Sequence, residues 1–348
     1  MRAEVLRITP LETSPLHDAF TDLCRWHGRY FCAFREAQTH NITPRGCVKL
    51  VTSINGVDWD ASTVMTHPLG DMRDPKFLRT QDTLYLLCGV YLPHPQHHER
   101  FQGLANYGGD NLLCTHVTYT HDGQSWAPLT PIMRPNYWAW SALELQNYGY
   151  VAASYHTGTS AHGQTIALWS GRSPLSMILR ETIYNGESVA SDGKQLRYAH
   201  YLPCEPVLYS LDEATIACCL RTETTMEIGV AHKMLPWRWH TTPYTIHPGA
   251  VMRTPKGWIL AGRSVADVKD GEKLTTSALF ALHGHVVEPL LTLPSSGDTG
   301  YCGLAHGRQP NTALVSYYSQ HANEKRQRYG VPFPGADVYI AEVYYERG

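Results

Sequence analysis

Long apolar runs are missing from this chain. None reaches the roughly 18 residues that a membrane-crossing helix needs, and the opening residues Met1-Arg2-Ala3-Glu4-Val5-Leu6-Arg7 hold no apolar stretch of the kind found in secretion signals. Charge is sparse too. Asp, Glu, Lys and Arg make up 17% of the 348 residues, and 29 basic against 31 acidic side chains leave no positive excess for a nucleic-acid backbone. A disulfide framework is not indicated: the nine Cys are an odd number, and Cys32, Cys88, Cys114, Cys218 and Cys219 sit inside apolar runs, as reduced core thiols do. These absences predict a cytoplasmic protein with neither membrane nor nucleic acid as a partner. Helical periodicity is also scarce, and few segments would survive as an amphipathic helix.

What the chain has instead is aromatic residues, 21 Tyr and 9 Trp among them. Short runs rich in Val, Tyr, Thr and Leu alternate with Gly, Pro, Asn and Asp, the pattern of strands and turns. Six such runs cover 30–34, 84–88, 150–154, 215–220, 258–261 and 313–318. Their starts lie about 40 to 65 residues apart, a period suited to propeller blades with inserted loops. Each reads as the second strand of a blade. Residues 48–52 and 165–169 read as third strands, and 338–343 as the strand that closes the ring. The pattern predicts an all-β, six-bladed β-propeller occupying 1–348 as one domain. A two-sheet sandwich, or two smaller β domains, would use similar turn spacing.

Two third strands run into Asn55-Gly56-Val57-Asp58-Trp59 and Asp122-Gly123-Gln124-Ser125-Trp126. In such hairpins an amide or acidic side chain folds onto the turn, Gly supplies a positive φ, and Trp packs between blades. They resemble degenerate Asp boxes of the sialidase superfamily, with Ile54 and His121 at the usual Asp position and Asn55 and Asp122 one place later. The resemblance continues along the chain. Arg73-Asp74-Pro75 precedes a strand, and Cys204-Glu205-Pro206 opens blade four, whose second strand ends in Arg221. Arg263 ends the second strand of blade five, and Gly300-Tyr301-Cys302-Gly303-Leu304 opens blade six.

The resemblance implies a glycosidase that releases a terminal sialic acid, or a related carboxylated sugar, from a glycan without metal or cofactor. It implies Tyr301 as nucleophile and Glu205 as its base. Where sialidases begin blade one with Phe-Arg-Ile-Pro, this chain has Phe20-Thr21-Asp22-Leu23. Arg35 is therefore expected to join Arg221 and Arg263 around the substrate carboxylate, with Arg73, Asp74 and His156 as further sugar contacts. Sialidases draw a general acid from a blade-one loop. The corresponding loop, 36–46, offers Glu36 and His40 but no Asp, and Asp22 and Asp74 are other possibilities.

The residue types suit the chemistry. A sialic acid carries its carboxylate on the anomeric carbon, so an anionic nucleophile would meet repulsion, and a neutral Tyr hydroxyl with a nearby base avoids it. Arginines bind a carboxylate in bidentate fashion and stay charged. Plainer readings stand beside these. The arginines could be strand-end ion pairs, Tyr301 could be a packing residue, Glu205 could simply pair with an Arg, and Arg73 and Asp74 could form a structural pair. His94, His97 and His98 read as a surface loop rather than a metal site, and Trp138 and Trp140 as packing rather than a sugar platform. A five-bladed furanosidase and a non-catalytic carbohydrate-binding propeller are the competing functions.

Overall fold

The computed structural model describes all residues except 44, 61–62, 93–111, 157–164, 186–202, 223, 268–272, 323–334 and 347–348. Among the described residues there are six antiparallel sheets of four strands and no α-helix. β1 (Arg2–Glu12) leads the chain but belongs to the last blade. Blade one is β2 (His17–Trp26), β3 (Arg29–Ala37), β4 (Cys47–Ser53) and β5 (Thr63–Met65). Blade two is β6 (Asp71–Arg79), β7 (Leu84–Leu92), β8 (Leu112–Thr120) and β9 (Thr130–Pro131). Blade three is β10 (Tyr137–Leu145), β11 (Gly149–His156), β12 (Thr165–Gly171) and β13 (Ile178–Asn185). Blade four is β14 (Cys204–Ser210), β15 (Thr215–Arg221), β16 (Met226–His232) and β17 (Trp237–Thr241). Blade five is β18 (Thr245–Thr254), β19 (Gly257–Asp267), β20 (Lys273–His283) and β21 (Val286–Thr292). Blade six is β22 (Gly300–His306), β23 (Thr312–Ser319) and β24 (Asp337–Glu346), completed by β1.

The innermost strands β2, β6, β10, β14, β18 and β22 touch in that order, and β22 meets β2 again, so the ring is closed. The protein is a six-bladed β-propeller, which removes the five-bladed alternative. All six apolar runs lie in second strands. Those strands are covered on both faces by neighbouring blades, so they read as continuous apolar stretches rather than alternating ones. Phe31, Cys32, Ala33 and Phe34 in β3, and the residues from Ile216 to Leu220 in β15, are all buried. Ring closure differs from the sequence expectation. The run at 338–343 lies in the third strand of blade six, and the fourth strand is β1, paired from Arg2 opposite Glu346 to Glu12 opposite Val338.

The two Gly-containing turns fold as their residues suggest. The Asn55 side chain accepts from the Val57 and Asp58 amides, and Asp122 from the Gln124 and Ser125 amides, each at 2.8 Å.

The feature that builds the site is a bulge repeated in every blade. Each inner strand carries one extra residue relative to its partner, between Ala19 and Asp22, Arg73 and Lys76, Ala139 and Ser141, Cys204 and Val207, Pro248 and Ala250, and Gly300 and Gly303. A bulge re-aims a side chain. In four blades a non-glycine residue at the bulge adopts a left-handed backbone: Phe20 (φ 59°), Asp74 (φ 49°), Glu205 (φ 57°) and Tyr301 (φ 41°). Such conformations are strained, typically by about 1–3 kcal/mol each, and concentrate at functional sites.

Candidate active site

Tyr301 and Glu205 lie 96 residues apart in sequence, yet their blades bring them into contact. The Tyr301 hydroxyl donates to Glu205 Oε1 at 2.6 Å. Arg221 Nη1 donates to the same oxygen at 2.6 Å and lies 3.4 Å from the phenol oxygen. The Arg263 guanidinium sits over the Tyr301 ring, 5.3 Å from its centroid. Gly300 lets the chain come this close: at φ 121° it occupies a region other residues avoid, and a Cβ there would fall 2.8 Å from Arg263 Cβ. Thr21 of blade one donates to the Tyr301 carbonyl at 2.9 Å, fixing the bulge of blade six to its neighbour.

Burial, reinforced by the Glu205 carboxylate, pushes the Tyr301 phenol well above its ordinary pKa, against the pull of Arg221 and Arg263. The resting hydroxyl is therefore neutral and must lose its proton as it reacts. Burial opposes the Arg221 charge, but Glu205 and Tyr301 outweigh it and raise that pKa. Arg263 is buried as well, and Tyr318, Tyr301 and Asp298 hold it charged in the same way.

Phe20 forms the centre of the neighbouring wall. Its ring lies 5.4 Å from Tyr301, 5.6 Å from Tyr318 and 5.0 Å from His40, with the Arg73 guanidinium 4.8 Å above it and that of Arg35 at 5.7 Å. The arginines divide here. Arg35 comes to this region but turns into the wall, with a fully buried side chain. Its Nε and Nη2 hold the two Asp71 oxygens at 3.0 and 2.8 Å, while Nη1 and Nη2 hold the Thr39 and Asn41 carbonyls at 2.8 and 2.9 Å. Asp71 also accepts from the Thr43 amide at 2.9 Å. Arg35 is thus a staple for the loop after β3. The sequence expectation sets Arg35 beside Arg221 and Arg263 around one anion, whereas here its guanidinium is taken up by Asp71 and the two carbonyls. Arg73 stands nearby, with a side chain 10% exposed and a buried Nε that has no hydrogen-bond partner.

The other expected residues fall in several places. Asp74 lies 3.7 Å from Arg73 Nε. Burial, and the nearby Glu205, raise its pKa to about 6 against the pull of Arg73 and Lys76. Asp22 is not at the mouth. Its carboxylate accepts from the Leu23 and Phe77 amides at 2.9 and 2.7 Å, and it lines a separate cavity of about 330 Å³ with Lys76, Trp140 and Leu304. Glu36 pairs with Lys49 at 2.5 Å on the flank of blade one. His156 packs edge-on against Tyr137 in blade three. Trp138 and Trp140 are buried, the latter 5.4 Å from the Tyr301 ring. His94, His97 and His98 lie outside the described residues.

Three residues of the site were not expected from the sequence: Asp298, His17 and Tyr318. Asp298 Oδ1 accepts from Tyr318 at 2.8 Å and from Arg263 Nη2 at 3.1 Å, while Oδ2 faces His17 Nε2 at 2.8 Å and is also bonded by His40 Nδ1. Arg263 Nη2 also reaches the Tyr318 hydroxyl at 2.9 Å, and its Nε donates to the Thr299 carbonyl. Among the described residues, His17, His40 and Asp298 are the one group of metal-ligand type whose donor atoms lie within 4.8 Å of one another. The faint signal in the sequence was Gly297-Asp298-Thr299, immediately before the tyrosine segment.

No protein-family model and no curated protein matches the chain. Solved structures do. Trypanosoma rangeli sialidase superposes with a TM-score of 0.60 at 8% identity, over 97% of this chain and 58% of that one. A Hadza microbial sialidase gives 0.61 at 11% identity, over 93% and 65%, and the leech intramolecular trans-sialidase 0.57 at 11%, over 90% and 67%. The chain has the sialidase fold. It spans between about half and two thirds of the length of these proteins. In this chain the bulge residues come together: Phe20 packs on Tyr301, Tyr301 bonds Glu205, and Asp74 lies close enough to feel the Glu205 charge.

One consequence for stability follows from Asp74. Its pKa is about 6 in the folded protein against 3.8 ordinarily. The folded state therefore holds this proton more tightly than the unfolded state does. The favourable contribution is complete below about pH 4 and is lost as pH rises through 6. Asp74→Asn is expected to gain on the parent by about 3 kcal/mol between pH 4 and pH 7. Urea unfolding of both proteins at several pH values measures this, and a difference that does not change with pH refutes the assignment.

Proposed function

We propose that the protein is a sialidase-like glycosidase that releases a terminal sialic acid, or a closely related carboxylated sugar, from a glycan. The observation that carries this reading is the 2.6 Å hydrogen bond from Tyr301 to Glu205, bridged by Arg221. A phenol raised by burial is a poor nucleophile alone, but a carboxylate already holding its proton can remove it as the bond to the anomeric carbon forms. Arg221, Arg263 and Arg73 supply fixed positive charge where the sugar carboxylate would lie. Arg221 spends Nη1 on Glu205, and Arg263 spends Nε and Nη2 on blade six, so donors remain on both for a ligand. The fold likeness supports the same substrate class, since the T. rangeli enzyme is described in complex with sialic acid and as a covalent intermediate with a difluorosialic acid.

A carbohydrate-binding propeller without catalysis is the second reading. Phe20 favours it, standing at the bulge of blade one where an additional cation would strengthen carboxylate binding. One assay separates the two: release of the phenol from an aryl α-sialoside, compared with neutral aryl glycosides. Turnover of the sialoside alone is expected. Binding of sialic acid without turnover of any glycoside would establish the second reading, and turnover confined to neutral glycosides would reject both.

A further inference from the structure

A glycosidic oxygen leaves as an alkoxide unless it is given a proton, and Tyr301 with Glu205 cannot supply one, because Glu205 is occupied in removing the phenol's. We infer that His40 is the general acid and base of the site, oriented by Asp298; this rests on the sialidase-like reading. The side chain of His40 is 47% exposed, whereas that of His17 beside it is 1% exposed. His40 stands edge-on to Phe20, whose ring in turn stands edge-on to Tyr301. One aromatic ring thus separates His40 from the nucleophile, and His40 lies at the open rim while Glu205 lies buried.

The hydrogen bonds fix which nitrogen works. Asp298 is held well below the usual carboxylate range: burial pushes it up, but His17, His40 and the Arg263 charge outweigh this. It therefore accepts all its bonds. His17 Nδ1 is buried with no partner, so the favoured tautomer leaves a bare lone pair there and puts the proton on Nε2, facing Asp298. Burial, and secondarily the nearby His40 and Arg35, lower the His17 pKa to about 4 despite Asp298, which keeps the ring neutral. This arrangement uses the Nε2 proton and leaves no lone pair there for a metal. His40 donates through Nδ1 to the same Asp298 oxygen, which leaves its Nε2 as the exchangeable site. An aspartate on Nδ1 and chemistry on Nε2 is the division of labour that lets an imidazole pass one proton back and forth.

The loop is also held for this purpose. The two carbonyls that Arg35 grips, Thr39 and Asn41, flank His40 on either side. In the first step the anomeric carbon gains its bond to Tyr301 Oη, whose proton passes to Glu205. The bond to the leaving oxygen breaks, and that oxygen takes the His40 Nε2 proton. In the second step water attacks the anomeric carbon and gives a proton to His40 Nε2, while Tyr301 leaves and recovers its proton from Glu205. No proton is gained or lost over the cycle.

The test compares leaving groups. A nitrophenyl α-sialoside departs without assistance, whereas an alkyl α-sialoside needs the proton. His40→Gln and Asp298→Asn are each expected to lower kcat/KM on the alkyl substrate at least about a hundredfold, and on the nitrophenyl substrate less than about tenfold. Labelling of Tyr301 by 2,3-difluorosialic acid, which expels fluoride, should survive in both variants, with the folded state checked by circular dichroism. Equal losses on both substrates would overturn the assignment, as would selectivity appearing in Asp74→Asn instead. Loss of activity with a chelator and its return with zinc would replace the acid by a metal. A parent protein that neither hydrolyses nor is labelled would remove the sialidase-like reading itself, whereas an active parent with unselective variants removes only His40.

Discussion

Tyr301→Phe is expected to lower kcat on an aryl α-sialoside by at least roughly a thousandfold while leaving the fold and carboxylate binding intact. The substitution removes one oxygen. Glu205 loses the donor at 2.6 Å but keeps Arg221 at the same distance, so no buried charge is abandoned. The ring remains, with its contacts to Phe20, Trp140, Tyr318 and Arg263. Stability should therefore change by no more than about 1–2 kcal/mol, the range for a single net hydrogen bond. Glu205→Gln should also reduce turnover but should disturb the fold more, because Arg221 then loses its carboxylate. Turnover within tenfold of the parent in Tyr301→Phe, on a substrate the parent cleaves, would exclude the phenol as nucleophile.

The largest effect on stability is expected from separating Arg35 and Asp71. Both side chains are fully buried, and five hydrogen bonds run through the pair. Arg35→Met leaves Asp71 charged, buried and supported by little more than the Thr43 amide. Breaking a buried pair in this way typically costs about 3–5 kcal/mol. Adding Asp71→Asn should recover much of that, because no charge is then stranded; chemical denaturation of the two singles and the double gives the coupling. Gly46 belongs to the same unit: a Cβ there would fall 1.6 Å from Asp71 Oδ1. Additive effects in the cycle would mean that the pair does not act as one.

The sequence revealed the ring better than the mouth of the ring. Second strands are covered on both faces, so apolar runs such as that from Ile216 to Leu220 announce themselves. β1 does not, since it is an outer strand with alternating exposure and its partner lies at the far end of the chain. The order Glu205, Arg221, Arg263, Tyr301 was legible because each residue sits at a fixed place in its blade. The bulges were not. Positive φ is usually signalled by Gly, Asn or Asp, but three of the four positions hold Phe20, Glu205 and Tyr301. Arg35 reads like Arg221 and Arg263 because all three lie just past the apolar run of a second strand. Only the fold shows that Asp71, from the next blade, claims it. Asp298 has only a faint local cue, its place just before the tyrosine segment, because its role depends on two histidines of blade one.

The pairing of β1 with β24 also sets an order of events during synthesis. β1 is made before the other strands of the ring, yet it finds its place beside Val338 to Glu346, which are made after all of them. Until then blades one to five can form from local hairpins, while β1 has no sheet to join. Loop closure over so long a separation is slow. In that interval the two edges destined to meet, β1 and β24, expose unpaired backbone to any other strand nearby. A chain stalled or cut before β24 would retain five blades' worth of hairpins but no closed ring, and its exposed edges would make it prone to joining a second copy.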